Sequence, residues 1–453
     1  MDVEADLSRL RDAAVQQQIR LWLALDKNAQ SQQEAKRLIK EASEEQLKEV
    51  FCKHLKFGTA GLRAHMGAGF SRLNDVTIQQ ASQGLADYLI KRHGADICST
   101  RGIIIGRDCR HNSERFSHLA AATFLSRGFR VYLCRSAVHT PLVAFGVLHL
   151  NCVAGIVITA SHNPKEYNGY KVYDENGAQI IPPVDADIAN AIQNNQSLWP
   201  EVEEVFDRSK GFIFVSEDKA QQLVDPTKEL TEEYLSSITA DLCMRKEETQ
   251  KSSLKVVYTP MHGGLGVGVK CTRTSVDEQC IPDPDFSTVS FPNPEEEGAL
   301  NLAIKKAEEN NISFVVANDP DADRLGCAEK VNGEWHQFTG DEIGIMLAAY
   351  LLEVRVKQKK EKAKMLFISS VVSSSMLKAF AEANGCVYRC TGTGFKWIEN
   401  RAALLQQQQS LEPVLLYEEA LGFGVYAQTE AIYTISCSSS SSSTASFFLV
   451  MLA

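Results

Sequence analysis

Four sets of short loops hold the residues whose types and spacing could do chemistry. In Thr159-Ala160-Ser161-His162-Asn163-Pro164 a serine stands beside a histidine and ahead of a rigid proline. Such an arrangement can expose a nucleophile next to a proton-transfer partner. Glycines flank neither side of Ser161, which excludes the GxSxG elbow of hydrolases; alone, a run of this kind is more often an ordinary turn. Asn318-Asp319-Pro320-Asp321-Ala322-Asp323-Arg324 places three carboxylates at alternate positions. In an extended loop they can converge on one hard cation, and without one they repel. The EF-hand pattern fails twice: Arg324 takes the sixth position, where glycine is required, and Lys330 the twelfth, where a bidentate glutamate is required. A Mg²⁺ site is expected, with a solvated acidic turn as the alternative, and Arg324 beside it suits a phosphate oxygen.

The third loop is Gly58-Thr59-Ala60-Gly61-Leu62-Arg63, whose glycines allow close backbone approach to a ligand while Arg63 offers a bidentate phosphate donor. The fourth set is Gly392-Thr393-Gly394-Phe395-Lys396, with a cation, and Tyr417-Glu418-Glu419-Ala420-Leu421-Gly422, with paired carboxylates able to accept sugar hydroxyls. Taken singly, these last three read as ordinary loop glycines and charges. Gly264-Leu265-Gly266-Val267-Gly268 lacks the GxGxxG spacing and a matching acidic residue on a following strand, so a dinucleotide site is excluded.

Ligands in open α/β sheets gather past the carboxyl ends of strands, so these loops need strands before them. The apolar pattern supplies them. Strands are predicted at 103–105, 129–133, 153–159, 255–258, 312–317, 365–368, 386–388 and 414–417. Helices are predicted at 114–127, 141–150, 299–310, 341–354, 373–384 and 395–405. Their alternation indicates βαβ units and largely parallel sheets in an α/β fold. Leu7, Leu10, Ala14, Leu21 and Leu25 predict a helix over 5–25, with polar helical sequence to about residue 50. Residues 194–229 read as a polar, irregular linker, and 357–364 as a solvated helix end. The expected domains are 1–225, 226–340 and an incomplete third at 341–430, before a Ser-rich, disordered tail at 431–453.

Composition narrows the function class. The chain has 453 residues, 44% hydrophobic and 23% charged, as multidomain globular proteins do. Its net charge of −10 argues against nucleic acid or an anionic membrane as partner, but permits a local basic pocket for a small phosphorylated molecule. Twelve scattered cysteines without a CxxC pair, no signal peptide and no spanning apolar run point to the cytoplasm.

A nucleophilic serine, a triple-Asp metal loop and several Arg/Lys loops together describe phosphoryl transfer on a small polyol. GTAGLR at 58–63, TASHNP at 159–164, DPDADR at 319–324, GFKW at 394–397 and EEALG at 418–422 also stand in the order of the α-D-phosphohexomutases. The chain resembles that family over about 50–424, and its phosphopentomutase branch most. The resemblance implies three similar α/β domains with the active site in the cleft between them. It implies a mutase moving phosphate between the 1- and the 5- or 6-position of a sugar, primed by a bisphosphate such as glucose 1,6-bisphosphate. Ser161 would be the phosphoserine, holding Mg²⁺ with Asp319, Asp321 and Asp323. His162 and Lys171 would lie near the transferring group. Arg63 and Arg324 resemble phosphate-site residues, and Thr393, Lys396 and Glu418 match the sugar loops. Pro164 and Ala420 lean toward the mutase over the related sugar-bisphosphate synthase. The family's Lys-Asp-Gly segment and the Arg-Ser-Gly-Thr-Glu-Pro-type loop of its fourth domain have no match. The expectation is therefore a chain stopping before that domain, with slower turnover or a purely binding role.

Overall fold

The computed structural model describes residues 3–58, 61–216, 219–242, 254–263, 274–426 and 432–434. The 264–268 glycine run, Thr59, Ala60, the Ser run at 438–443 and the apolar end at 447–453 lie outside these. The first sheet comprises β1 (Leu62–His65), β2 (Ile103–Arg107), β3 (Val131–Leu133), β4 (Ala154–Ile158), β5 (Tyr167–Asp174) and, past a small ribbon of β6 (Phe206–Asp207) and β7 (Phe212–Ile213), β8 (Leu223–Val224). Their order is β1-β5-β4-β2-β3-β8. The second holds β9 (Val257–Thr259), β10 (Thr274–Ser275), β11 (Phe314–Asn318), β12 (Leu325–Val331) and β13 (Glu334–Gln337), ordered β10-β9-β11-β12-β13. The third holds β14 (Met365–Ser370), β15 (Val387–Thr391), β16 (Glu412–Glu418), β17 (Gly422–Tyr426) and β18 (Ile432–Thr434), ordered β15-β14-β16-β17-β18.

All three sheets follow one plan. Parallel strands form the centre, where residues such as Ile103–Ile105 and Ala154–Ile158 are buried on both faces and read as unbroken apolar runs. One of those strands then turns back antiparallel: β4 into β5, β11 into β12, β16 into β17. The turns are 159–166, 319–324 and 419–421, so three of the chemically marked loops occupy equivalent places. One apolar cluster runs from Ile104, Val143 and Val157 through Tyr234, Phe314 and Val316 to Leu347, Phe367, Val414 and Phe423. It packs the three sheets together and fixes those turns relative to one another.

Several expectations change. The N-terminal helix is four helices, Val3–Ser8, Ala13–Leu25, Ala29–Glu41 and Glu44–Phe51, because Asp12, Asn28 and Ser43 each cap a new start through a side-chain oxygen. The 194–229 segment is no irregular linker. Trp199, Val202, Val205 and Phe206 are buried, and β8 closes the sheet edge. Their spacing follows no regular period because they pack as a short 3₁₀ turn, Pro200–Glu204. That segment leans on helix Asp75–His93, which sequence patterning missed because nearly every side of it is buried. Its Gln79 and Gln83 donate to the carbonyls of Trp199 and Ser197 at 3.2 and 2.9 Å. In the third sheet β18, at 432–434 within the stretch expected as a disordered tail, pairs antiparallel with β17.

Gly61 has a different reason from the one its motif suggests. At φ +70° a Cβ there would lie 1.8 Å from the Tyr170 carbonyl oxygen, so the close approach is to β5 and not to a ligand. Gly58 has nothing within 4 Å. Gly61→Ala should therefore cost at least ~2 kcal/mol of unfolding free energy, combining left-handed strain with the clash. Gly58→Ala should stay within ~0.5 kcal/mol. Urea titration of both variants checks the pair; equal midpoints would remove the argument.

Candidate active site

Ser161 sits at the β4–β5 turn with φ +54°, a backbone few non-glycine residues adopt, and its side chain is buried. Its N–H donates to Thr159 Oγ1 at 2.8 Å. The hydroxyl faces the second sheet, where it donates to Asp319 Oδ2 at 2.9 Å and lies 3.4 Å from Asp323 Oδ1. His162 Nδ1 stands 3.2 Å from the same oxygen.

The β11–β12 turn delivers the carboxylates. One oxygen from each of Asp319, Asp321 and Asp323 lies within 4.8 Å of the others, and among the described residues no other group of His, Cys, Asp or Glu does this. Left-handed Ala322 turns the chain, and Asp319 Oδ1 accepts from the Arg324 N–H at 3.0 Å. Lys171, from β5, reaches Asp321 Oδ2 and Asp323 Oδ2, each at 2.6 Å. Thr140 Oγ1 donates to Asp321 Oδ2 at 2.7 Å. Asp321 Oδ1 remains buried with no hydrogen-bond partner. Three carboxylates so close together, one with a buried oxygen that accepts no hydrogen bond, need positive charge beyond the Lys171 ammonium. The set fits one divalent cation with oxygen ligands.

Electrostatics agree. Burial, then the charges of Asp321 and Asp323, push the Asp319 carboxyl well above its usual range. Burial works against the Lys171 ammonium, but Asp321 and Asp323 outweigh it and hold its pKa above the ordinary value. Burial, helped by Arg324 and Arg63, drives His162 down to about 3, so its imidazole is neutral.

A cavity of about 180 Å³ opens beside Ser161. Arg63, His162, Lys171, Asp323, Arg324, Lys396 and Glu418 line it, bringing most of the sequence-selected residues to one place. Arg63 Nη1 donates to Asn163 Oδ1 at 3.1 Å, tying β1 to the serine loop. Thr393 is exposed and outside this lining. Glu419 also turns away: it accepts from Ser370 and Ser373 hydroxyls at 2.7 and 3.0 Å and braces its own loop, so of the acidic pair only Glu418 faces the cavity. Sequence reasoning missed Thr140, Arg110 and Glu399. The first two follow β3 and β2, and the rule about strand carboxyl ends applied to them as well.

Glu399, on helix Phe395–Gln409, lines the cavity and is 7% exposed. Burial, opposed by the Gln179 N–H and reinforced by Asp323 and Glu418, pushes it up to about 8 from 4.5. Burial likewise lifts Glu418 to about 7. An acid with a raised folded-state pKa holds its proton more tightly folded than unfolded. Its contribution to stability is complete below about pH 4.5 and is lost as pH rises through about 8. Glu399→Gln, neutral at every pH, should flatten the fall in metal-free stability across that window by up to ~1.4 kcal/mol per pH unit. Urea melts at several pH values test this, and parallel curves for variant and wild type would contradict it.

Residues 54–199, 232–333 and 339–422 match alpha/beta/alpha domains I, II and III of phosphoglucomutase/phosphomannomutase. The chain is 42% identical over 423 residues to a probable phosphoribomutase of Schizosaccharomyces pombe, covering 91% of this chain and 70% of the relative. It is 40% identical over 434 residues to the phosphopentomutase of Homo sapiens, covering 91% and 68%. A putative phosphomannomutase from Thermus thermophilus shares the fold at a TM-score of 0.66 and 22% identity, over 88% of this chain and 80% of that one. With three domains matched in order and the serine and aspartate turns facing each other, the chain belongs to the phosphoglucomutase/phosphomannomutase family of phosphosugar mutases.

Proposed function

We propose that this chain is a pentose-phosphate mutase that moves a phosphoryl group between Ser161 and a sugar phosphate, with Mg²⁺ held by Asp319, Asp321, Asp323 and the phosphorylated Ser161. The observation that carries the reading is the Ser161 hydroxyl 2.9 Å from Asp319, facing a carboxylate cluster with an orphaned buried oxygen. The pentose assignment rests on the names of the relatives that are about 40% identical.

Phosphoryl transfer asks mostly for positioning and charge neutralisation. Arg63, Arg324 and Lys396 bind and orient phosphate oxygens through charge-assisted hydrogen bonds. Ser161 Oγ forms its bond to phosphorus as the bond from phosphorus to the sugar oxygen breaks. The Oγ proton leaves along the hydrogen bond to Asp319 Oδ2 at 2.9 Å, with neutral His162 Nδ1 3.2 Å from the same oxygen, and the departing sugar oxygen takes up a proton in its place. Glu418, protonated to about pH 7, supplies a hydrogen bond or proton on the sugar side. Lys171 keeps Asp321 and Asp323 in place and adds positive charge beside the transferring group. Mg²⁺, when bound, supplies Lewis-acid neutralisation of that group. The free thiols of the described cysteines suit a reducing compartment and support a cytoplasmic location.

Two outcomes follow. Incubation with glucose 1,6-bisphosphate and Mg²⁺ should add one phosphate to Ser161, seen by intact mass and peptide mapping and abolished in Ser161→Ala; phosphate elsewhere, or none, would end the reading. Asp321→Asn should weaken Mg²⁺ binding by at least tenfold, about 1.4 kcal/mol, in calorimetry. Unchanged affinity would remove Asp321 from the metal site. Turnover of ribose 1-phosphate against glucose 1-phosphate then decides between pentose and hexose.

A further inference from the structure

The loop after β2 contributes no group to the steps above, yet it sends a fully buried guanidinium under the serine turn. The Arg110 side chain is 0% exposed. Its Nη2 donates to the carbonyls of Ser161 and Asn163 at 2.5 and 2.6 Å. Its Nη1 donates to those of Pro164 and Tyr167 at 2.8 and 3.2 Å. Nε lies 3.0 Å from Asp108 Oδ2, an equally buried partner that Ser113 Oγ holds through Oδ1 at 2.6 Å. Phe286, from the second domain, covers the guanidinium with its ring centroid 4.8 Å from Cζ.

These contacts answer a specific problem. The turn around left-handed Ser161 brings several carbonyls against Arg110, that of Ser161 buried and the others partly so, and carbonyls withdrawn from water need donors. The planar five-donor fork of arginine can serve several carbonyls at once in fixed directions, whereas a lysine ammonium is a compact charge without that geometry. Four carbonyls of residues 161–167 converge on this one group. Arg110 does not line the cavity.

We propose that Arg110 is a positioning residue for phosphoryl transfer: it holds the serine turn in the strained conformation that aims Ser161 Oγ at the carboxylate cluster, and through Phe286 it registers that turn against the second domain. This rests on the reading of Ser161 as the phosphoryl acceptor.

The experiment measures the rate of Ser161 phosphorylation by glucose 1,6-bisphosphate, with Mg²⁺, in the wild-type chain, Arg110→Lys and the double variant Asp108→Asn/Arg110→Met. Arg110→Lys keeps a paired charge and loses the fork; the double variant leaves no unpaired buried ion. Misplacing a nucleophile by about an ångström costs about 100-fold in rate, and that fall in the limiting rate is expected for both variants. The bisphosphate concentration giving half the limiting rate and the Mg²⁺ affinity should stay near wild type, a split that general unfolding would not produce. Circular dichroism shows which variant is folded, and either one alone suffices. A folded variant phosphorylated within about threefold of the wild-type rate, against the 100-fold expected of a misplaced nucleophile, would overturn this inference while leaving the proposed function standing. Absence of phosphate on wild-type Ser161 would overturn both.

Discussion

Three carboxylates crowded within 4.8 Å, two of them buried, set the terms for the whole site. Like charges in a low-dielectric interior repel strongly, so the cluster persists only where positive groups and donors meet it. Lys171 answers Asp321 and Asp323, the Arg324 N–H and the Ser161 hydroxyl answer Asp319, and Thr140 answers Asp321 again. Those partners come from three separate segments of the first domain and one of the second. The cluster is thus an inter-domain junction, and its carboxylate oxygens could hold a metal ion.

Such a junction tolerates little play. The equivalent turns of the three sheets are anchored by antiparallel returns and by one apolar cluster continuous from Ile104 to Phe423. Ser161 and the three aspartates therefore sit on turns held by a strand on either side, and Lys171 on β5 itself. The cavity they enclose has the cations Arg63, Lys171, Arg324 and Lys396 in its lining. Besides Asp323, its carboxyls are Glu399, pushed up to about 8 by burial, and Glu418, pushed up to about 7. That set suits an anionic ligand: fixed cations for phosphate, and a Glu399 carboxyl that keeps its proton at neutral pH and can donate to a hydroxyl.

Much of this was legible from local sequence because strand, turn and strand-end chemistry are local. The serine and aspartate turns, and the strands before them, follow from apolar runs ending in polar residues. What stayed hidden depends on contacts distant in sequence. β5 carries Lys171 within Tyr167–Asp174, where polar and aromatic residues alternate without an apolar stripe, although almost all are buried in the fold. Helix Asp75–His93 hides its glutamines against the 194–200 backbone, so no amphipathic pattern exists to read. Glu418 and Glu419 are identical neighbours with opposite fates, one facing the cavity and one bracing a loop, a difference made by Ser370 and Ser373. Glu399 looks like an ordinary helix-surface charge until the first domain packs over it.

The account stands on the claim that Asp319, Asp321, Asp323 and Ser161 surround one divalent cation. A crystal grown with Mn²⁺ and measured at an anomalous edge tests that directly. The account predicts a single strong anomalous peak bonded to an oxygen of each aspartate and to the Ser161 side chain or its phosphate, with Asp321 Oδ1 no longer without a partner. A map with no peak there under saturating Mn²⁺, the carboxylates still bridged only by Lys171, would contradict it.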